Sequence, residues 1–373
     1  MKKSDIKNIL VPIDFSRLSR PAIETAKGLA RKFDATIHLA HVHEFYYPAG
    51  FIAPAGPTPM PIITYRDNAA TRRARDLKAL AKRHGLPSEN CHVLSGTPTF
   101  NEICNLARTI PADLIVMPTH GYTGITLFFE GSTAERIVQH SPCPVLVARK
   151  RQEKSSRVAS NRKASGSIDT ILVPVDFSQS SFQALAYAIK FAERVAAKLI
   201  IFHAVHFGYA FTADGDGMYD LSTLMEAPRK DAERQMEKFV RLPKFRAVEF
   251  ETAVKVGLPV SEICAFAKQR DVDLIITATH GRTGFKHLLI GSVAEQVVRY
   301  ARRPVLVVPS HPEVRAARLT RGTRRVHQST GQRAKSQALL ISSEGLMKRN
   351  RKLVAHPFPE RRKTNKFRES HSR

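Results

Sequence analysis

The sequence predicts an α/β protein: two tandem doubly wound domains, each built on a five-stranded parallel sheet, followed by a basic tail. Three observations predict it. A set of motifs occurs twice in the same order. Within each copy, short apolar runs alternate with helical patterns. Positive charge is concentrated outside the two copies.

The repeat is plain. Residues 9–16 read ILVPIDFS and residues 171–178 read ILVPVDFS, differing only at Ile13 and Val175. Residues 119–138, THGYTGITLFFEGSTAERIV, match 279–298, THGRTGFKHLLIGSVAEQVV. Each copy closes on PVLV, at Pro144 and at Pro304. The offset is 162 residues at the first motif and 160 at the last, the period of whole domains rather than solenoid units. The expected boundaries are 1–149 for the first domain, 150–167 for a linker, 168–310 for the second domain and 311–373 for the tail.

The elements follow in order. Ile9–Ile13 is a continuous apolar run, as expected of a strand buried on both faces. Ser16 and Ser19 offer N-cap chemistry and Pro21 suits a first helical turn. Ala22, Ile23, Ala26, Leu29, Ala30 and Phe33 then recur at helical spacing, matched by Ala184, Leu185, Ala188, Phe191, Ala192 and Val195. Second strands are expected at 36–42 and 199–205. Pro/Gly-rich stretches at 48–61 and 208–217 lead into charged helices near 67–84 and 227–240. Third strands are expected at 92–94 and 248–254, followed by helices at 99–108 and 260–269. Fourth strands fall at 114–117 and 274–277, last helices at 131–140 and 291–300, and fifth strands at 145–148 and 305–308. Strands alternating with helices argue for a parallel sheet covered on both faces, with ligands bound beyond the strands' carboxyl ends where strand order reverses.

The chain has 373 residues and a net charge of +26. Residues 312–373 hold 17 Lys/Arg against 4 Asp/Glu, and residues 150–167 hold 6 against 1. The basic character thus belongs mainly to linker and tail. The tail's clusters, such as Arg361-Arg362-Lys363, suit the phosphates of nucleic acid or an anionic surface, and equally a solvated disordered segment. Cys91, Cys104, Cys143 and Cys264 form no CxxC pair and no zinc spacing, which fits a reducing compartment. No apolar run suits a signal peptide or a transmembrane helix. The expected location is cytoplasmic.

Two features carry chemistry. The first is a strand-end aspartate, in Pro12-Ile13-Asp14 and Pro174-Val175-Asp176. Its carboxylate can accept hydrogen bonds from a nucleotide's ribose or base, and it also suits a turn or helix cap. The second is a long glycine loop after the fourth strand: Gly121, nine residues, Gly131-Ser132, and Gly281, nine residues, Gly291-Ser292. Glycines let backbone approach phosphates, and a Gly-Ser opening a helix presents free N–H groups, a hydroxyl and the positive end of the dipole. Thr133 and Val293 follow in the same first turns. Two copies of the pair favour nucleotide binding. His120 and His280 suit either a phosphate contact or a local loop bond, and His41 and His203 read as structural. There is no Ser/His/Asp set in a recognisable order, no HExxH and no Walker-type run.

On these motifs (VPxDFS, THGxTG, GSxAExxV and PVLV) the chain resembles the universal stress protein family in its tandem form. The resemblance spans residues 5–149 and 168–309. It implies strand order 3-2-1-4-5, ATP or a related adenine nucleotide as ligand, with or without Mg²⁺, and a dimer contact through the fifth strand. The two copies would then pair within the chain as a pseudo-dimer, or two chains as a homodimer. It also implies a valine ending the second strand beside the adenosine, matched by Val42 and replaced by Ala204. The family's phosphate pattern starts with a glycine, and here Pro118 and Ala278 take that place. Proline removes an N–H and fixes φ. Copy two carries Arg282, Lys286 and His287 in its loop, whereas copy one carries Glu130 and no Lys or Arg. Copy two is therefore the expected better site. The leading expectation is a stress-response nucleotide sensor. The alternatives are a slow Mg²⁺-dependent ATPase or nucleotide hydrolase, and a non-nucleotide interaction module with a nucleic-acid-binding tail.

Overall fold

A computed structural model describes residues 6–44, 61–118, 133–149, 167–206, 221–241, 248–279 and 291–310. The linker and the tail, as bounded above, lie outside these residues except at the linker's last position, Ser167. Both copies fall within one compact unit, Met1–Leu319.

Copy one begins with β1 (Asn8–Pro12), in which Ile9, Leu10 and Val11 are all fully buried. Consecutive burial requires cover on both faces. Ile9 and Val11 enter one core cluster and Leu10 the other. Helix α1 (Ser19–Phe33) buries the stripe Ala22, Ile23, Ala26, Leu29 and Phe33, and ends on Asp34 in the left-handed conformation. Strand β2 (Thr36–His43), helix α2 (Pro61–Arg83), strand β3 (Cys91–Ser95), helix α3 (Thr99–Thr109), strand β4 (Leu114–Pro118), helix α4 (Thr133–His140) and strand β5 (Val145–Ala148) follow. Copy two repeats the order as β6 (Thr170–Pro174), α5 (Gln179–Val195), β7 (Lys198–Val205), α6 (Leu221–Val240), β8 (Phe250–Val256), α7 (Pro259–Gln269), β9 (Leu274–Ala278), α8 (Ser292–Tyr300) and β10 (Val305–Val308).

Boundaries differ from the sequence reading where long-range pairing decides them. The third strand of copy two, expected at 248–254, runs Phe250–Val256. Its register against β7, Leu199 opposite Phe250 through Val205 opposite Val256, carries it two residues further. The helices before the third strands begin earlier than expected, at Pro61 and Leu221.

The sheet order is β3-β2-β1-β4-β5 in copy one and β8-β7-β6-β9-β10 in copy two. All pairs within a copy are parallel. The order therefore reverses at β1/β4 and at β6/β9. The edge of each reversal is pinned in the same way. Asp113 Oδ2 accepts the backbone N–H groups of Lys7 and Asn8, and Asp273 Oδ2 accepts those of Asp169 and Thr170.

The two fifth strands pair antiparallel, Val305 with Val147, Leu306 with Leu146 and Val307 with Val145, joining the copies into one ten-stranded sheet. Helices α1, α2, α5 and α6 cover one face, and α3, α4, α7 and α8 the other. Each core cluster contains residues of both copies. Phe33 of α1 lies 5.2 Å from Phe191 of α5, ring to ring.

Candidate nucleotide site

Each crevice is built where a central strand stops. Beyond β1, Ile13 still donates its N–H to Ala40 O at 2.7 Å, and Val175 does the same to Phe202 O at 2.8 Å. The chain then turns sharply. Phe15 and Phe177 take φ of 60° and 62°, left-handed values that cost a bulky residue on the order of 1–2 kcal/mol. A repeated aromatic–imidazole contact holds the turn. The Phe15 ring packs 4.7 Å from His41, whose Nδ1 lies 2.8 Å from Ile13 O. The Phe177 ring packs 4.5 Å from His203, whose Nδ1 lies 2.7 Å from Val175 O. His41 and His203, expected to be structural, thus brace this turn. Each hydrogen-bonds the carbonyl immediately before a strand-end aspartate. Burial lowers the His41 pKa, which favours a neutral ring donating its Nδ1–H to that carbonyl.

The turn presents the aspartates differently. Asp14 Oδ1 accepts the N–H of Ser16 at 3.0 Å and the hydroxyl of Ser19 at 2.6 Å. Asp14 Oδ2 is buried and has no hydrogen-bond partner among the described residues. Asp176 Oδ1 accepts the N–H of Ser178 at 3.0 Å. Here Ser181 turns its hydroxyl to Ser178 O instead, at 3.0 Å, and Ser178 caps α5 by accepting the Ser181 N–H. The cap expected from Ser16 or Ser19 does not form in copy one. Leu18 occupies the N-cap position, Ser16 Oγ accepts the Leu18 N–H, and Ser19 Oγ is drawn to the Asp14 carboxylate.

The other strand-end residues gather at the same edge. Pro12 and Pro174 end β1 and β6. Val42 lies in β2 and Ala204 in β7, both packed on the α3/α7 face of the core. Pro118 and Ala278 end β4 and β9 beside them. Thr133 opens α4. Gly121, Gly131 and Ser132, with Gly281 and Arg282, lie outside the described residues, as do His120 and His280. In copy two the end of the glycine loop is described. Gly291 donates its N–H to Thr279 O at 2.6 Å, and Thr279 donates its own to Val308 O at 3.1 Å. Ser310 braces the Thr279 hydroxyl with its N–H and its Oγ, both at 3.1 Å. This ties the start of α8 to the end of β9. Ser292 and Val293 open α8 on the protein surface, where first-turn N–H groups have no intrahelical acceptor. Thr279 and Ser310 were not singled out from sequence. The THG motif was the available signal for Thr279, whereas Ser310 is placed only by the sheet.

No group of three or more His, Cys, Asp or Glu side chains among the described residues could hold a metal ion. No helix among them is long and apolar enough to cross a membrane.

A doubly wound sheet carrying matched strand-end carboxylates at both reversal points defines a tandem α/β protein with a repeated strand-end motif. A model of the Universal stress protein family matches residues 5–149 and 167–309, and the chain belongs to that family. Universal stress protein MJ0531 of Methanocaldococcus jannaschii is 31% identical over 138 residues, covering 37% of this chain and 80% of the relative. Universal stress protein MJ0577 of the same organism is 28% identical over 151 residues, 37% of this chain and 93% of that one. A universal stress protein from Archaeoglobus fulgidus, at 21% identity and a TM-score of 0.52, covers 83% of this chain and 99% of its own, and so shares the tandem fold.

Proposed function

We propose that this chain binds ATP or a related adenine nucleotide and acts as a nucleotide-dependent sensor or regulator in the stress response. The observation that carries the reading is the Asp14 carboxylate. One oxygen is held by Ser16 and Ser19, and the other is buried with no partner among the described residues. A buried polar atom left unpaired costs about 1–3 kcal/mol, and more if charged. A ribose hydroxyl or an adenine amine donates the bond such an oxygen lacks. Asp14 and Asp176 would hold the nucleoside, with Val42 and Ala204 alongside. The opening turns of α4 and α8 would receive phosphate oxygens at Thr133, Ser292 and Val293. Gly121, Gly131, Ser132, Gly281 and Arg282 complete the proposed set. Arg282 and Lys286 favour the triphosphate in copy two. Mg²⁺ would enter on the phosphates of the nucleotide. The reading is one of binding with slow turnover at most, since neither a general base nor an arginine finger is evident in the sequence.

Calorimetry of the full chain with ATP tests it. Saturable binding is expected, weakened about tenfold or more by Asp176→Ala and less by Asp14→Ala, consistent with loss of a charge-assisted bond. Absence of binding at millimolar ATP would overturn the reading. A larger loss with Asp14→Ala would reverse the ranking of the copies.

A further inference from the structure

Copy one contains a cavity of about 300 Å³ between α1 and α2. Its lining includes Ser19 and Arg20 from α1 and Arg73, Arg83 and His84 from α2 or just beyond it, with Phe15 and Ser16 from the turn at their base. Neither Asp14 nor Val42 lines it. Arg73 stacks over the Phe15 ring at 5.5 Å and lies 3.9 Å from Asp76, the carboxylate in the lining. His84 is taken by Glu24 at 3.0 Å. Arg20 and Arg83 have neither an ion pair nor a hydrogen bond among the described residues. The groove therefore carries more cation than its own carboxylates neutralise.

Copy two shows that the fold does not need these cations. The motif offset places Phe182 where copy one has Arg20. Leu77 and Met236 are the fully buried anchors of α2 and α6. Four residues before them stand Arg73 and Ala232, and three after them Leu80 and Phe239. In copy two the corresponding space is packed with rings. Phe239 meets Phe182 edge-on at 5.6 Å and Phe177 at 5.7 Å. The same two-helix wedge thus holds packed aromatic rings in one copy and arginines around a cavity in the other.

We infer that the α1–α2 groove of copy one binds a small anion carrying a phosphate or diphosphate group, apart from the nucleotide crevice. Guanidinium forks match phosphate oxygens in geometry and keep their charge at any physiological pH. Three of them face one cavity, two without partners among the described residues. The inference does not rest on the nucleotide reading.

The test is calorimetry of the full chain with inorganic pyrophosphate at about 150 mM salt, where diffuse attraction is screened. Two double variants are compared with the parent: Arg20→Gln with Arg83→Gln, and Arg20→Phe with Leu80→Phe, which copies the aromatic filling of copy two. Saturable binding is expected in the parent, weakened about tenfold or more in each variant, as loss of charge-assisted bonds implies. The chain has 59 Lys and Arg, so removing two should scarcely alter diffuse binding to the tail or linker. The Gln variant keeps the helix packing and decides the question if the Phe variant folds poorly. Unchanged affinity in the folded Gln variant, or no saturable binding in the parent, overturns the proposal. Pyrophosphate binding lost on Arg282→Gln with Lys286→Gln but kept in the Arg20/Arg83 variant places the anion in the nucleotide crevice and also overturns it. Groove-dependent pyrophosphate binding in a chain that binds no ATP leaves it standing while the nucleotide reading falls.

Discussion

At the scale of single residues, Arg149 shows how much of a tandem protein's stability is placed by its other half. It follows β5 of copy one, yet its guanidinium donates to Val298 O at 2.5 Å and Arg299 O at 3.1 Å, the carbonyls at the end of α8 in copy two. A cation at a helix carboxyl end satisfies acceptors that the helix itself leaves open. The cost is desolvation, which lowers the Arg149 pKa, and a buried Nε with no partner among the described residues. Arg149→Ala should lower stability by about 2 kcal/mol, the range for hydrogen bonds to a charged group, read from urea unfolding midpoints. An unchanged midpoint would mean that desolvation cancels the two bonds. Sequence could not show this role, because the aligned residue in copy two is Pro309 and the partners lie 149 and 150 positions away.

At the scale of elements, the two second strands share a backbone plan and differ in what they bury. In copy one His38 of β2 lies 3.1 Å from His92 of β3, Nδ1 to Nε2. The corresponding residues of β7 and β8 are Ile200 and Ala253, which pack into the core. Burial lowers the pKa of His38, with His92 adding repulsion, and burial lowers that of His92. A histidine whose folded pKa lies below its unfolded value contributes stability that is full above the unfolded pKa and lost as pH falls toward the folded one. The chain should therefore lose stability as pH drops below about 6.5, the unfolded histidine value. His38→Gln should flatten that slope between pH 7 and pH 5 in urea titrations, and a slope equal to the parent's would show that the pair does not titrate on unfolding. The same comparison shows what the sequence could reveal. Continuous runs such as Ile9–Val11 and Leu274–Ile276 announce buried strands by composition alone, and the repeated motifs align the helices between them. The starts of α2 and α6 were less legible because 61–65 and 221–225 lack the charged pattern of the later turns and Pro228 stands within α6. The exchange of Arg20 for Phe182 was visible as letters, but it became a groove only once α1 and α2 were seen side by side. The aspartates were found as a motif. That Ser19 would leave its cap to bind Asp14, while Ser181 would not, depends on rotamers no pattern encodes.

At the scale of the whole molecule, the junction of β5 and β10 decides whether the copies behave as one body. Three opposed residue pairs join them, with Leu146 facing Leu306, and both leucines are almost fully buried. Antiparallel pairing here removes the exposed apolar edge that each half would otherwise present. Both core clusters run through the junction: Leu146 and Leu306 belong to the α1/α5 face, and Val145, Val147, Val305 and Val307 to the other. Contact between Phe33 and Phe191 continues the joint into the helical layer. Shared cores couple unfolding, so the described body should melt in one calorimetric transition rather than two. Leu146→Asp tests the cause. A carboxylate placed opposite Leu306 is buried without a partner, at a cost of about 3–5 kcal/mol or more. That cost falls on the junction and on copy one, because Leu146 also pairs with Val116 of β4 and packs in the core beneath α1, so copy one should melt first. Expected is a chain that keeps most of its helical circular dichroism but melts in two separated transitions, one per copy. Its freed edges should also show concentration-dependent association. Loss of all structure in a single step would mean that neither half stands without the other. A single transition at the parent's temperature would mean that the junction contributes little. Either result would refute the view that β5–β10 pairing welds two self-supporting copies into one cooperative unit.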